Sequence, residues 1–152
     1  MSRTGDGPRG EDALVALARE AMERAYAPYS RFRVGAAIEA EDGRRFGGCN
    51  VENAAYPVGL CAERVALGHA VASGARAFRR IAIATAAAEP TPPCGMCRQA
   101  LGEFGLELEV VSVAGDGTAA RWRLRELLPD AFVRAPGARG DPADGEAGGD
   151  RA

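Results

Sequence analysis

Three of the four cysteines stand at the starts of two predicted helices, and this placement restricts the possible folds more than any other feature of the sequence. Cys94 and Cys97 are three residues apart, so in a helix both sulfur atoms can face one point. Cys61 lies at the start of segment 60–73, whose apolar spacing also predicts a helix. A metal ion shared by these sulfur atoms requires a fold in which the two helix N-termini meet.

The apolar pattern around these cysteines alternates between helical and strand-like segments. The predicted helices are 11–26, 60–73 and 94–104, with a last helical turn at 125–128. The predicted strands are 32–40, 44–49, 81–85, 108–113 and 118–124. This alternation favours the α/β class, as a three-layer α/β/α sandwich around a mixed five-stranded sheet.

The composition favours one domain between two disordered tails. A chain of 152 residues with 47% apolar residues is long enough for a single hydrophobic core. We predict that the domain spans residues 11–134. Residues 1–10 and 135–152 are predicted to be disordered, because they are rich in glycine and charged residues and lack apolar periodicity.

Charge and hydropathy argue against nucleic-acid and membrane partners. The formal net charge is -2, and the 19 basic residues, all arginine, are interspersed with acidic ones rather than gathered in a stripe. No apolar run approaches the roughly 20 residues of a membrane helix, and residues 1–10 do not resemble a secretory signal. A cytoplasmic location is therefore predicted. Thiols stay reduced there, so the cysteines are better explained as metal ligands or free thiols than as disulfides.

The cysteine pattern predicts a catalytic zinc site rather than a structural one. Thiolates bind zinc well, and the partial positive charge of a helix N-terminus favours the thiolate form. A structural site usually has four protein ligands, whereas Cys61, Cys94 and Cys97 leave one position for water. Cys49 is a possible fourth ligand, but it lies in a predicted strand without a partner at ligand spacing. We interpret it as a small buried apolar residue.

Charged residues beside the ligands suggest further roles. Glu63 follows Cys61 by two residues, and a carboxylate there could take a proton from a water molecule at the metal and deliver it to a leaving amine. The alternative for Glu63 is a first-turn residue that only favours the helix dipole. Arg64 and Arg98 each follow a site residue directly, and we predict that they donate hydrogen bonds to the thiolates and offset their charge. Two solvated surface arginines are the alternative.

These motifs resemble those of the zinc-dependent deaminases. The segments Cys61-Ala62-Glu63 and Pro93-Cys94-Gly95-Met96-Cys97 have the three-cysteine form of the signature, in which the glutamate is not a ligand. Nucleic-acid and nucleotide deaminases typically have histidine in place of the first cysteine. The resemblance is therefore to the small homotetrameric cytidine deaminases. It covers roughly residues 12–133, with further similar segments at 27–32, 34–37, 48–56 and 126–132.

The resemblance implies a function, a cofactor and an assembly. The reaction would be the hydrolytic deamination of cytidine and deoxycytidine to uridine and deoxyuridine in pyrimidine salvage, with Zn²⁺ as cofactor and Glu63 as the proton carrier. The partners would be a small nucleoside substrate and copies of the same chain. The assembly would be a homotetramer with active sites at subunit interfaces.

The resemblance also implies the substrate contacts. Asn50 and Glu52 would bind the ribose 3′-hydroxyl, and Phe32 would pack on the pyrimidine or the sugar. The backbone of Ala62 would contact the base. Three residues would reach the substrate of a neighbouring subunit: Ala54, Tyr56 and Phe132. Where the family commonly has serine before the Pro-Cys pair, this chain has Pro92, whose carbonyl can still accept a hydrogen bond from the substrate amine.

Three alternatives remain open. A deaminase of a cytosine-containing antibiotic such as blasticidin S would share the zinc motifs, but it lacks the full segment found here at 50–56. A non-catalytic zinc module would need a fourth protein ligand and would make no use of Glu63. A nucleic-acid editing deaminase is disfavoured by the acidic balance, by the cysteine at the first ligand position and by the lack of a basic groove.

Overall fold

The computed structural model describes residues 8–134 and contains every helix and strand that the sequence predicts. The helices are α1 (Pro8–Met22), α2 (Ala62–Ala72), α3 (Gly95–Gly102) and α4 (Leu124–Leu127), and a short 3-10 helix spans Tyr56–Val58. The strands are β1 (Val34–Ala40), β2 (Arg45–Cys49), β3 (Phe78–Thr85), β4 (Glu109–Val113) and β5 (Ala119–Arg123). Of the tails predicted at 1–10 and 135–152, residues 8–10 belong to α1, and the rest lie outside the described residues.

The bounds of α1 differ from the prediction at both ends. The helix begins at Pro8, three residues before the predicted domain start, and proline suits a first helical turn because its fixed φ is helical and its missing N–H would be unpaired there. The helix ends at Met22 rather than at Tyr26. The Tyr26 N–H donates to the Asn50 carbonyl at 3.0 Å, so this residue pairs with the segment after β2 instead of continuing the helix.

The sheet is mixed, as predicted, with the strand order β2-β1-β3-β4-β5. The pair β3 and β4 is parallel, and the other neighbouring strands are antiparallel. The turn between β1 and β2 contains Gly43, whose φ of 91° lies in the left-handed region that glycine adopts without strain. Because β3 and β4 are parallel, they end at the same edge of the sheet. The loop that follows β3 at this edge leads into α3.

Helices cover both faces of the sheet, which confirms the three-layer architecture. Successive strand residues point to opposite faces, so each strand contributes to two cores. On one face α1 packs against a core of small and branched residues: Leu14, Ala18, Ala37, Ala82, Ala84 and Val111. On the other face α2 and α3 pack against a larger core: Ile38, Ala66, Ile81, Ile83, Leu101 and Val110.

One glycine allows α2 to lie directly on the sheet. A Cβ atom at Gly48 would be 2.3 Å from the Ala66 backbone nitrogen and 2.7 Å from the Ala62 carbonyl oxygen. Such distances are shorter than van der Waals contact, so a larger residue would push the helix away. Gly48 thus fixes the height of the α2 N-terminus above the sheet. None of the helices within residues 8–134 has the length and apolar character needed to cross a membrane.

Candidate active site

The three predicted ligands converge at the N-termini of α2 and α3. Cys61 and Cys94 are the residues that directly precede the two helices, and Cys97 lies in the first turn of α3. The three sulfur atoms lie within 4.8 Å of one another, and Cys61 Sγ is 3.8 Å from Cys94 Sγ. A tetrahedral zinc ion with Zn–S bonds of about 2.3 Å holds its sulfur ligands about 3.8 Å apart. The cluster therefore fits zinc, and within the described residues Cys49 is not part of it.

The local backbone explains why the thiols face one another. Cys61 and Cys94 are extended, with ψ angles of 151° and 164°, so each side chain lies at the open end of its helix. The unpaired N–H groups of a helix N-terminus attract negative charge. Hydrogen bonding from Cys97, with Arg64 contributing, lowers the pKa of Cys61 to about 5. The interaction with Cys61, together with burial, raises the pKa of Cys97.

Glu63 is buried beside the sulfur cluster. Only 6% of its surface is exposed, and its Oε2 atom accepts a hydrogen bond from Cys97 Sγ at 3.6 Å. Burial raises the pKa of this carboxyl, and the charge of Cys61 adds to the effect. A spacing of two residues would separate Cys61 and Glu63 on a regular helix, but Cys61 precedes the helix and is not bound by that rule. The carboxyl is well placed to accept a proton next to the metal position.

The two arginines have different partners. Arg64 Nη2 lies 3.7 Å from Cys61 Sγ and 3.4 Å from the Gly59 carbonyl, so the predicted contact with a thiol is present. Arg98 instead donates to the carbonyls of Pro93 and Leu127, at 2.8 Å each. Its side chain leaves α3 on a different side from Cys97, because adjacent helical residues do not share a face. The geometry therefore does not support the charge-offsetting role predicted for Arg98.

Asn50 and Glu52 hold the loop before β1, and Glu52 also lines the groove described next. The Asn50 Oδ1 atom accepts from the Val34 N–H at 2.9 Å, and its Nδ2 donates to the Phe32 carbonyl at 2.8 Å. Glu52 Oε1 accepts from the N–H groups of Tyr29 and Ser30 at 3.0 Å each, and Oε2 accepts from the Ser30 hydroxyl. The bonds from Ser30 and the Tyr29 N–H lower the pKa of the Glu52 carboxyl. No sequence motif indicates these bonds.

An open groove of about 400 Å³ brings several of these residues together. Its lining residues are Tyr29, Ser30, Glu52, Asn53, Tyr56 and Gly59. Tyr29 and Tyr56 make an edge-to-face contact with ring centroids 6.0 Å apart. Of the lining residues, only Glu52 and Tyr56 were predicted from the sequence. Tyr29 and Ser30 were missed although they lie in segment 27–32, which resembles the cytidine deaminases, and Asn53 and Gly59 were missed as well.

The other predicted contact residues differ in exposure. Ala62 is buried as the first residue of α2. Phe32 and Ala54 are exposed, as are Tyr56 and Phe132, at 76% and 77%. Exposed aromatic rings of this kind are candidates for contact with another molecule.

Comparisons with known proteins place the chain among similar sequences and structures. A family model described as the cytidine and deoxycytidylate deaminase zinc-binding region matches residues 9–113, which include all three clustered cysteines. A cytidine deaminase of Sporosarcina psychrophila is 42% identical over 126 residues, which are 81% of this chain and 91% of that protein. The crystal structure of cytidine deaminase from Burkholderia pseudomallei is 48% identical with a TM-score of 0.77, and the alignment covers 80% of this chain and 98% of that one. The crystal structure of cytidine deaminase from Mycobacterium tuberculosis is 40% identical with a TM-score of 0.71, and the alignment covers 81% and 97%.

Proposed function

The chain belongs to the cytidine and deoxycytidylate deaminase family, and on that premise we propose that it hydrolyses cytidine and deoxycytidine to uridine and deoxyuridine. The observation that carries the proposal is the buried Glu63 carboxyl in contact with one of three convergent thiols. The named relatives of 40% identity and more are cytidine deaminases, which supports a free nucleoside over the antibiotic alternative.

Three thiolates and one carboxyl share the chemistry of this proposal. Cys61, Cys94 and Cys97 would hold a zinc ion, which when bound supplies activation of the attacking water. Glu63 takes a proton from that water as it attacks C4 of the base. The carboxyl delivers that proton to the ring nitrogen, then takes the second proton from the new C4 hydroxyl and passes it to the amine, so that ammonia leaves and a C4 carbonyl remains. Arg64 stays beside Cys61 and offsets part of the negative charge of the thiolates.

The remaining hydrogen-bonding capacity of Asn50 and Glu52 supports their assignment to the ribose. An amide nitrogen carries two N–H donors, and the Phe32 carbonyl takes one from Asn50. An ionised carboxylate offers about four acceptor positions, and three hydrogen bonds already reach Glu52. One free donor and one free acceptor suffice for a single sugar hydroxyl. We therefore assign both residues to the 3′-hydroxyl, with Phe32 packed on the nucleoside and the Ala62 backbone at the base.

Exposed apolar residues support a homotetramer in which subunits complete one another's sites. The exposed large apolar residues include Tyr29, Phe32, Tyr56, Val58, Leu60, Met96 and Phe132. Exposed apolar surface of this extent is typical of an interaction surface. In this assembly Ala54, Tyr56 and Phe132 reach the substrate of a neighbouring subunit. We also propose that the enzyme works in the cytoplasm, where the thiols stay reduced, and that it serves pyrimidine salvage.

An ultraviolet assay tests the reaction directly. Zinc-loaded protein is mixed with cytidine or deoxycytidine, and the absorbance change on conversion to the uracil product is followed while metal analysis counts zinc per chain. The proposal expects rapid conversion of both nucleosides at one zinc per chain. Absence of conversion at full zinc occupancy, with turnover of blasticidin S, would replace the nucleoside by the antibiotic as the substrate.

Mixed assemblies test the proposed subunit interfaces. The variants Glu63→Gln and Phe132→Ala are expected to be impaired when each is expressed alone. Co-expressed, they should form mixed tetramers in which some sites combine an intact Glu63 with an intact Phe132 from a neighbour, so activity should rise above the sum of the two parents. Activity equal to that sum, in a tetramer whose mass is confirmed by light scattering, would exclude Phe132 from the neighbouring site.

Growth tests address the proposed pathway. A pyrimidine auxotroph without its own cytidine deaminase should grow on cytidine as the sole pyrimidine source when this gene is supplied. The Glu63→Gln variant is the matched control and should not support growth. Equal growth with both genes would show that growth does not depend on deamination by this protein, and it would contradict a role in pyrimidine salvage.

A further inference from the structure

The loop 86–93 links β3 to α3 and leads directly into Cys94. It contains Pro90, Pro92 and Pro93, and proline has no N–H to donate, so the loop has few backbone donors with which to hold its own shape. Its start is anchored, because the Ala87 N–H donates to Thr85 Oγ1 at 3.2 Å and the Ala87 carbonyl accepts from the Gly115 N–H at 2.9 Å. Its end is anchored by the Arg98 bond to the Pro93 carbonyl described above. The middle of the loop needs a further support.

Two buried hydroxyl groups supply that support. The Ser112 Oγ–H donates to the Thr91 carbonyl at 2.7 Å, and Thr85 Oγ1 lies 3.4 Å from Thr91 Oγ1. Ser112 is fully buried and Thr85 is 2% exposed. Thr85 is the last residue of β3, and Ser112 is the last but one of β4, the strand parallel to it. A buried hydroxyl is costly unless it is hydrogen-bonded, so these bonds to the loop make the two polar residues tolerable at strand ends.

The bond from Ser112 restrains the loop backbone that precedes Cys94. It fixes the plane of the Thr91–Pro92 peptide, and the proline ring then fixes φ of Pro92 at about -65°. The following residue, Pro93, is fully buried and its carbonyl is held by Arg98. The Pro92 carbonyl therefore lies between two anchored peptides and has little freedom to turn. An acceptor held in place before the substrate arrives loses no reorganisation free energy when it binds.

We propose that Ser112 is a positioning residue, which holds the Pro92 carbonyl in the direction of the amine of a cytosine nucleoside. This inference rests on the proposed function, because the amine is the group that distinguishes the substrate from its product. Uridine has a carbonyl oxygen where cytidine has the amine, and an oxygen gains nothing from a second acceptor. The Ser112 bond therefore acts on discrimination between the two nucleosides and not on the binding of nucleosides in general.

Ligand affinities in an inactive background test the proposal. The Glu63→Gln variant loaded with zinc allows the dissociation constants of cytidine and uridine to be measured by calorimetry without turnover. Adding Ser112→Ala is expected to weaken cytidine about tenfold, the equivalent of one hydrogen bond, and to leave uridine within about twofold. Ser73→Ala is the matched control, because Ser73 Oγ also donates to a carbonyl, that of His69 at 2.8 Å, but at the far end of α2. This control should change neither constant.

Each outcome decides one point. Equal weakening of both nucleosides would show that Ser112 only stabilises the fold, and an unchanged cytidine affinity would show that it does not position the loop; either result overturns the inference. Should Ser112→Ala fold poorly, Ser112→Cys keeps the volume and a weak donor, and it should weaken cytidine by a smaller factor in the same selective way. Failure of the unaltered enzyme to deaminate cytidine would instead reject the proposed function.

Discussion

Two buried glutamates on opposite sides of the sheet have opposite surroundings. Glu63, at the start of α2, lies next to thiols, and its carboxyl has a raised pKa. Glu39, on β1, is fully buried on the α1 side and has three guanidinium groups within 4 Å: those of Arg45 at 2.8 Å, Arg80 at 3.5 Å and Arg79 at 3.8 Å. The same residue type thus has a raised pKa where it lies beside thiols and forms ion pairs where guanidinium groups surround it.

Glu39 belongs to a row of alternating charges that crosses all five strands. Neighbouring members are direct partners in the strand register, and in strand order they are Arg45, Glu39, Arg80, Glu109 and Arg123. The side chains of each neighbouring pair approach within 4 Å. Opposite charges on directly paired residues stabilise the pairing of antiparallel strands, and a slip of any strand by one residue would break the pairs that its member of the row makes. The three arginines and two glutamates of this row pair with one another within the chain, whereas the thiolate cluster needs a metal ion.

The largest expected effect comes from Glu63→Gln. Removal of the proton carrier should lower kcat by a factor of about 10³ to 10⁴. The amide is close in size and avoids burying a charge, so zinc content and the free energy of unfolding should be nearly unchanged. Steady-state assays, metal analysis and urea denaturation measure the three quantities. Retention of substantial turnover would remove Glu63 from the reaction.

Glu39→Gln should lower the free energy of unfolding and leave kcat unchanged, the reverse of the result expected for Glu63→Gln. The neutral amide leaves the buried guanidinium of Arg80 with one anionic partner fewer, and the free energy of unfolding should fall by about 3 kcal/mol. The change lies on the sheet face opposite to α2 and α3, so kcat at a temperature where the variant is folded should equal that of the unaltered enzyme. A stable variant with impaired turnover would contradict the view that the α1 face of the sheet contributes stability and the face of α2 and α3 contributes turnover.

The same contrast explains what could be predicted from the sequence. The convergence of the three cysteines and the position of Glu63 beside them were predictable because each motif is short, and the helix that follows it fixes the geometry. The charge row was not, because its five members come from five strands whose register no local pattern reveals. For the same reason the start of β3 was missed: Arg79 and Arg80 do not resemble a buried strand until Glu39 is placed opposite Arg80.

Long-range partners also explain the remaining differences in the site. The bonds from Asn50 and Glu52 to the loop before β1 join residues 16 to 23 positions apart, and no spacing rule covers them. The carbonyl of Leu127 that accepts from Arg98 is 29 positions away. Sequence adjacency to a ligand correctly suggested a thiol partner for Arg64, three positions after Cys61, but not for Arg98.

An effect of intermediate size, on zinc retention, is expected from Arg64→Gln. Loss of the cation beside Cys61 leaves more negative charge on the thiolates uncompensated and should weaken zinc retention about tenfold, with a comparable loss of activity at limiting zinc. Competition with a chelator measures the affinity. Arg44→Gln is the matched control and should leave zinc affinity unchanged, since Arg44 donates to the Ser73 carbonyl at the far end of α2. Equal losses in both variants would mean that the arginines act through the fold and not through the sulfur atoms.

The smallest effect is expected from Glu109→Gln, which makes the same substitution as Glu39→Gln in the same charge row. The side chain of Glu109 is 45% exposed, and its contacts are Arg123 at 3.1 Å and Arg80 at 3.9 Å. Exposed ion pairs are weak because water screens them, so the free energy of unfolding should fall by only about 0.5 kcal/mol. The loss should shrink further at 1 M salt, whereas the loss from Glu39→Gln should persist. Urea denaturation at low and high salt measures both variants side by side. Equal losses would mean that position in the row matters and burial does not; the expected unequal losses would show that one charge row contains both a structural centre and a solvent-screened end.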